Sequence, residues 1–177
     1  MNLQAESAAL MDVFLNYARQ TRLPEALFYY PDHIALQATD ISDFDQLVKE
    51  VIPEAEQVAV TEADDRFIAI AQLSGHLVFP NIGQIKWVEI IEPTVEEAKV
   101  GYNIGGHVEF YYLELEQALK WLEVREIGYQ LEEEPELKVR VPYGSFGEEL
   151  HLSRVSLGEI VQESIENGQA RLVKKAA

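Results

Sequence analysis

Apolar residues recur along this chain first at helical spacing and then in alternation, and the order in which the two periods follow each other predicts the fold. Residues 7–18 place Leu10, Val13, Phe14 and Tyr17 on one side of a helix that precedes Arg22-Leu23-Pro24 and is expected to pack as an appendage. A short strand at 32–38 follows. Ser42 and Asp43 then open a helix striped by Phe44, Leu47, Val48, Val51 and Ile52, with Pro53 as its stop. Strands are expected at 57–61, 66–73 and 85–91, with a polar turn at 62–65 and a Gly- and Pro-punctuated loop at 74–84.

Beyond a linker at 94–106, which carries Gly101, Gly105 and Gly106, the same order of elements returns. A strand at 107–113 leads into a helix striped by Leu115, Ala118, Leu119 and Leu122 that ends near Gly128. Strands at 129–132, 137–141 and 149–153 come next, separated by Pro135 and by the turn Pro142-Tyr143-Gly144. Ser156 and Glu159 then form a capping box for a closing helix that carries Leu157, Ile160, Val161 and Ile165. The expectation is an α+β chain, one domain over 1–177, with an N-terminal helical part at 1–28, βαβββ modules at 29–93 and 107–155, and a C-terminal helix and tail at 156–177.

The two modules correspond position by position at their first and last strands. Asp32-His33-Ile34-Ala35-Leu36 matches Gly106-His107-Val108-Glu109-Phe110, an offset of 107 − 33 = 74, and Trp87-Val88-Glu89-Ile90-Ile91 matches Glu149-Leu150-His151-Leu152-Ser153, an offset of 151 − 89 = 62. Side chains alternate between the faces of a strand, so parity sorts these segments into two sets. Ile34, Leu36, Ala38, Val88, Ile90, Val108, Phe110, Tyr112, Leu150 and Leu152 form the face that packs on helices. The opposite face carries His33, Ala35, Gln37, Trp87, Glu89, Ile91, His107, Glu109, Tyr111, Glu149, His151 and Ser153. Unpaired polar groups cost roughly 2–7 kcal/mol to bury, so this second face must line water, a ligand or a metal. Lys138 and Arg140 alternate with Leu137, Val139 and Val141 on a neighbouring strand, either to meet an anionic substrate or to balance nearby carboxylates.

Composition narrows the chemistry. Of 177 residues, 14 are Lys or Arg and 31 are Asp or Glu, a formal charge of −17 that repels phosphate backbones and anionic lipid, so neither nucleic acid nor a membrane is an expected partner. No apolar run approaches the roughly 20 residues of a membrane span, and the N-terminus lacks signal-peptide features, so a cytoplasmic location is expected. The absence of Cys excludes disulfides, thiolate nucleophiles and Cys-held zinc. Any metal must then be held by carboxylates and by the four His, one of which, His76, lies in the expected loop and reads as exposed. No nucleotide loop or Ser nucleophile motif is present.

The three remaining His, 33, 107 and 151, and Glu89 fall on the polar face at corresponding positions of the two modules, and converge if the modules pair about a pseudo-two-fold axis. Imidazole with carboxylate suits Zn, Fe, Mn, Ni or Co. On these residues, on Asp32-His33-Ile34, Val88-Glu89-Ile90 and Gly106-His107-Val108-Glu109-Phe110, and on the tail Ser156-Leu157-Gly158-Glu159-Ile160-Val161, the sequence resembles the vicinal oxygen chelate superfamily, and within it the YecM family of metal-binding proteins. That resemblance implies two paired βαβββ modules forming a cupped mixed sheet around a divalent transition metal, with His33, Glu89 and His107 as ligands. For the fourth ligand the internal repeat points to His151, whereas the family's tail pattern points to Ser153, and Glu149 is a further candidate.

Glu109 shares the face of His107 and reads either as a general base beside the metal or as a carboxylate that orients an imidazole. Gln37, Trp87, Tyr111, Lys138, Arg140, Glu149 and Ser153 are the expected pocket. The resemblance implies metal-dependent isomerase, lyase or dioxygenase chemistry on a small, oxygen-rich substrate; one Glu against a divalent ion leaves about one positive charge, which favours an anionic ligand, and the modules pair within a monomer or are exchanged in a homodimer. The alternatives are a metal-free small-ligand-binding module on the same fold and an acidic protein that acts through its surface charge.

Overall fold

The computed structural model describes residues 3–24, 30–63, 65–100, 106–112, 114–133, 137–143 and 147–174. Gly101, Gly105, Leu113, Pro135 and Gly144 therefore lie outside the described residues. In chain order the elements are α1 (Leu3–Thr21), β1 (Pro31–Gln37), α2 (Ile41–Glu54), β2 (Ala55–Ala63), β3 (Arg66–Phe79), β4 (Gly83–Ile91), α3 (Val95–Val100), β5 (His107–Tyr111), α4 (Leu115–Val124), β6 (Gln130–Glu132), β7 (Lys138–Pro142), β8 (Glu149–Ser153), α5 (Leu157–Glu166) and β9 (Ala170–Lys174). No described helix is long and apolar enough to cross a membrane.

Both βαβββ modules form as expected, and they join into one mixed nine-stranded sheet in the order β6-β7-β8-β5-β1-β4-β3-β2-β9. Each module pairs its first strand with its last in parallel, β1 with β4 and β5 with β8. The modules meet where β1 and β5 run antiparallel, with Ile34 opposite Val108, His33 opposite Glu109 and Ala35 opposite His107. This is the register that a two-fold axis through the Ile34–Val108 pair requires. Ala35 lies opposite Glu89 in one module and Glu109 opposite His151 in the other, so the offsets of 74 and 62 hold in space as they do in sequence.

The apolar parity set is the core. Ile34, Val88, Ile90, Val108, Phe110, Leu150 and Leu152 are all fully buried, packed under α2 and α4 through Leu47, Val51, Leu115 and Leu122. Here the N-terminal helix departs from the expected appendage. Met11 and Phe14 of α1 are buried in the same core, and the Phe14 ring lies 5.4 Å from that of Phe110. The cause is the seam itself: two half-sheets, each with its own helix, leave an uncovered apolar strip over β1 and β5, and α1 fills it. Gly106 makes that approach possible, since a Cβ there would lie 2.0 Å from the Ala35 carbonyl oxygen and 2.7 Å from Leu10.

Other boundaries move for local reasons. The cap of α2 is Asp40, whose side chain accepts from the Asp43 amide, while the Asp43 carboxylate accepts from Thr39; Ser42 and Asp43 already lie inside the helix. Pro53 sits in the last turn of α2, one residue before its end, where its missing N–H removes an i→i−4 bond just as the helix stops. The expected loop at 74–84 is instead a hairpin of two long strands. β3 runs through Ser74-Gly75-His76, bent by a register shift between Gln72 and Leu77, and His76 is exposed on a strand rather than in a loop. Helix α3 occupies part of the expected linker, β5 stops at Tyr111 and α4 at Val124.

The largest departure is β9, which pairs with β2 and extends the sheet beyond the repeat. It carries α5 back across the polar face of the first module. Leu157 and Val161 of α5 pack there with Ala59, Ile70 and Ala170, while the helix begins at the Ser156–Glu159 capping box. The polar face is thus apolar where α5 covers it and charged where it does not. Because Phe14 ties α1 to the module seam, Phe14→Ala should lower the unfolding free energy by about 3–5 kcal/mol in chemical denaturation. A loss below about 1 kcal/mol would mean that α1 is dispensable to the core.

Candidate metal centre

Four strands carry the cluster, because the pseudo-two-fold places β1, β4, β5 and β8 side by side at the centre of the sheet. His33 Nε2 lies 3.0 Å from His107 Nε2 and 3.7 Å from Glu89 Oε2, and His107 Nε2 lies 3.6 Å from the same Glu89 oxygen. Bonds of about 2.0–2.2 Å to a divalent ion set neighbouring donors about 3.0–3.5 Å apart, so these three atoms approach the spacing of one face of a coordination shell. His33 is 2% exposed, and the carboxylate of Glu89 is 13% exposed, so the cluster opens on its Glu89 side.

His151 is close but turned. Its ring stacks on that of His107 with centroids 3.9 Å apart, while Nε2 lies 2.9 Å from Glu149 and Nδ1 lies 3.4 Å from Glu109 Oε2. Glu109 is fully buried, with Oε2 3.1 Å from Lys138 Nζ and 3.9 Å from His33 Nε2. Neither Glu109 oxygen nor His151 Nδ1 has a well-formed hydrogen bond. Buried polar atoms without a well-formed hydrogen bond, beside three convergent ligand atoms, fit a site that could hold a cation.

The other expected residues divide. Arg140 grips Glu149 at 2.9 and 2.6 Å, so Lys138 and Arg140 balance carboxylates of the face, which is one of the two roles their spacing allowed. Ser153 is fully buried but donates its hydroxyl to the Val155 carbonyl at 2.7 Å, away from the cluster. Gln37 and Tyr111 lie three residues along β1 and β5 from the Ile34–Val108 axis, about 10 Å by strand rise. Trp87 lies opposite His33 on one side and Gln72 on the other, with the first turn of α5 at Gly158 against its ring.

Sequence parity missed Asp32. Its Oδ2 lies 2.8 Å from His33 Nδ1 and accepts from the Leu157 amide at 2.8 Å. Alternation assigns residues 32 and 33 to opposite faces, but the ladder shifts register between Pro31 and His33, and this irregularity lets both side chains serve one site. The sequence carried it as the neighbour of His33 in the Asp32-His33-Ile34 motif, with no role assigned.

The protons follow from these contacts. A carboxylate accepts only, so His33 carries a proton on Nδ1 toward Asp32. Burial disfavours a second proton on His33, but the carboxylates of Glu109, Glu89 and Asp32 outweigh it and push the imidazole up to about 9. His107 is driven well below its usual range, first by burial and then by repulsion from His151, His33, Lys138 and Arg140 around it. Without an ion, therefore, His33 donates Nε2–H to neutral His107 and a proton holds the centre. Burial alone would raise Glu109, yet His33, His151 and Lys138 together hold it at about 2, ionised at neutral pH.

No protein-family model and no curated protein matches this sequence. Among solved structures, the chain is similar to a structural-genomics protein, EC4020, with TM-score 0.71 and 16% identity over 90% of this chain and 89% of that one. It is also similar to methylmalonyl-CoA epimerase from Mycobacterium tuberculosis (TM-score 0.48, 12% identity, 76% and 93% covered). A further match is the fosfomycin resistance protein FosX from Listeria monocytogenes, solved with Mn(II) and a dihydroxypropylphosphonic acid (TM-score 0.27, 11% identity, 73% and 95% covered). The latter two are members of the vicinal oxygen chelate superfamily. At these identities the likeness concerns the fold: the chain has the α+β paired βαβββ architecture, established over nearly its whole length by the first of these structures.

The raised His33 value has a sign that can be checked. The stability it contributes to the metal-free protein is fully present below pH 6.5 and is lost as pH rises through about 9. Chemical denaturation across that window should therefore show wild type losing stability toward His33→Asn, whose curve stays flatter. Parallel curves would contradict the assignment.

Proposed function

We propose that this chain is a divalent-metal-dependent enzyme of the vicinal oxygen chelate type, acting on a small, oxygen-rich substrate by isomerase, lyase or dioxygenase chemistry. The observation that carries the reading is the convergence of His33 Nε2, His107 Nε2 and Glu89 Oε2 within 3.7 Å at the pseudo-two-fold centre. His33, Glu89 and His107 would hold the ion, with His151 as the fourth candidate after a turn of its ring away from Glu149. A bound transition metal supplies Lewis acidity and open positions for two neighbouring oxygens.

The chain's own residues supply the rest. Asp32 holds the Nδ1 proton of His33, leaving Nε2 to face the centre. Glu109 is central and fully buried, 3.9 Å from His33 Nε2, and in this reading it is the carboxylate that accepts a proton from a substrate carbon or hydroxyl. Lys138 at 3.1 Å keeps it ionised, and Arg140 with Glu149 fixes His151 from outside.

Charge defines the substrate further. A divalent ion with Lys138 and Arg140 brings four positive charges to Asp32, Glu89, Glu109 and Glu149. The loaded face is close to neutral in a chain of net charge −17, so it suits a neutral or singly charged oxygen chelate better than a multiply charged anion.

The test is elemental analysis of protein reconstituted with Zn, Mn, Fe, Ni or Co and freed of loose metal. Wild type should retain about one ion per chain, His33→Ala with His107→Ala close to none, and Glu109→Gln the wild-type amount. A wild type that retains no ion would move the reading to a metal-free ligand-binding module on the same face.

A further inference from the structure

We propose that Asp32 is a positioning residue for the metal ligand His33, and that through one carboxylate oxygen it couples ion occupancy to the seating of α5. The inference rests on the metal-site reading above. Asp32 Oδ2 meets His33 Nδ1 at 2.8 Å and the Leu157 amide at 2.8 Å, and the Asp32 side chain is 8% exposed. Both contacts fix a proton on the partner, because the carboxylate only accepts. The His33 ring can neither change tautomer nor flip without stranding that carboxylate, so Nε2 stays aimed at His107 and Glu89.

The device is absent from the second module. At the offset of 74 the equivalent of Asp32 is Gly106, which has no side chain and whose place is closed by the Ala35 carbonyl and Leu10. Asp32 is therefore not a by-product of the repeat. What distinguishes the first module is α5, which covers its polar face.

Leu157 is the first residue of α5, and the leading amides of a helix lack acceptors within it. Ser156 caps the Glu159 amide, and Asp32 takes that of Leu157. The turn they secure buries Leu157 with Ile70 and Ala59, and seats Gly158 against Trp87, where a Cβ would lie 3.1 Å from the indole. Loosening this turn removes one of the two donors that hold Asp32 on His33. By reciprocity, an ion that tightens His33 must tighten the turn by the same factor.

The experiment uses the full chain and Zn(II) alone, with affinity read by competition against a chromophoric chelator and the Leu157 amide followed by hydrogen exchange. Asp32→Asn should weaken Zn(II) binding about 10- to 100-fold. Zn(II) should slow exchange at Leu157 in wild type and not in Asp32→Asn. Ser156→Ala touches no ligand, so it carries the test if Asp32→Asn does not fold; it should weaken Zn(II) several-fold. Zn(II) affinities of both variants within twofold of wild type, or equal protection of Leu157 in wild type and Asp32→Asn, would overturn the coupling and leave the metal site standing. A wild type that takes up no Zn(II) would overturn both.

Discussion

Two imidazole nitrogens, His33 Nε2 and His107 Nε2, meet 3.0 Å apart in the middle of a nine-stranded sheet, and two bare lone pairs cannot rest at that distance. Something positive must lie between them. In the metal-free chain it is a proton, kept on His33 by three carboxylates to a value of about 9 against the effect of burial. A divalent ion would occupy the same place by displacing that proton, since a ligating imidazole must be neutral on the metal-bound nitrogen. The remaining polar groups arrange themselves around this requirement: Glu89 and Glu109 face the pair, Lys138 and Arg140 balance the carboxylates, and Asp32 orients one ring.

The fold supplies the meeting point by symmetry. Antiparallel pairing of β1 and β5 about Ile34 and Val108 brings His33 and His107 to either side of the axis, and parallel pairing within each module adds Glu89 and His151 at equivalent heights. The chemistry is nonetheless unsymmetrical. Ala35 stands where the second module has Glu109, Trp87 where it has Glu149, and Asp32 where it has Gly106. One module supplies Glu89 and an imidazole fixed by Asp32, the other a charged network of Glu109, Lys138, Arg140 and Glu149. Helix α5 lies over the first and leaves the second to its own ion pairs.

Much of this was legible in the sequence because strand side chains alternate with a period of two. That period fixed which residues of 33–37, 87–91, 107–111 and 149–153 share a face, and two His at an offset of 74 then pointed to a paired centre. The features that escaped have non-periodic causes. Asp32 joins the site through a register shift that parity cannot foresee. The burial of Phe14 depends on a seam that exists only once the modules have paired, and β9 depends on an open edge of β2 distant from it in sequence. The strand over 74–79 was hidden by Ser74-Gly75, polar residues on an exposed bend. The choice between His151 and Ser153 could not come from parity, since both share a face; the Ser153 hydroxyl is engaged by the Val155 carbonyl, whereas His151 stacks on His107.

The most direct test is anomalous diffraction from crystals grown with Zn(II) or Mn(II). The account predicts one strong anomalous peak per chain, about 2.0–2.2 Å from His33 Nε2, His107 Nε2 and a Glu89 oxygen, on the pseudo-two-fold between β1 and β5. A fully metal-exposed crystal with no peak at that point, and with His33 and His107 still hydrogen-bonded to each other, would contradict it.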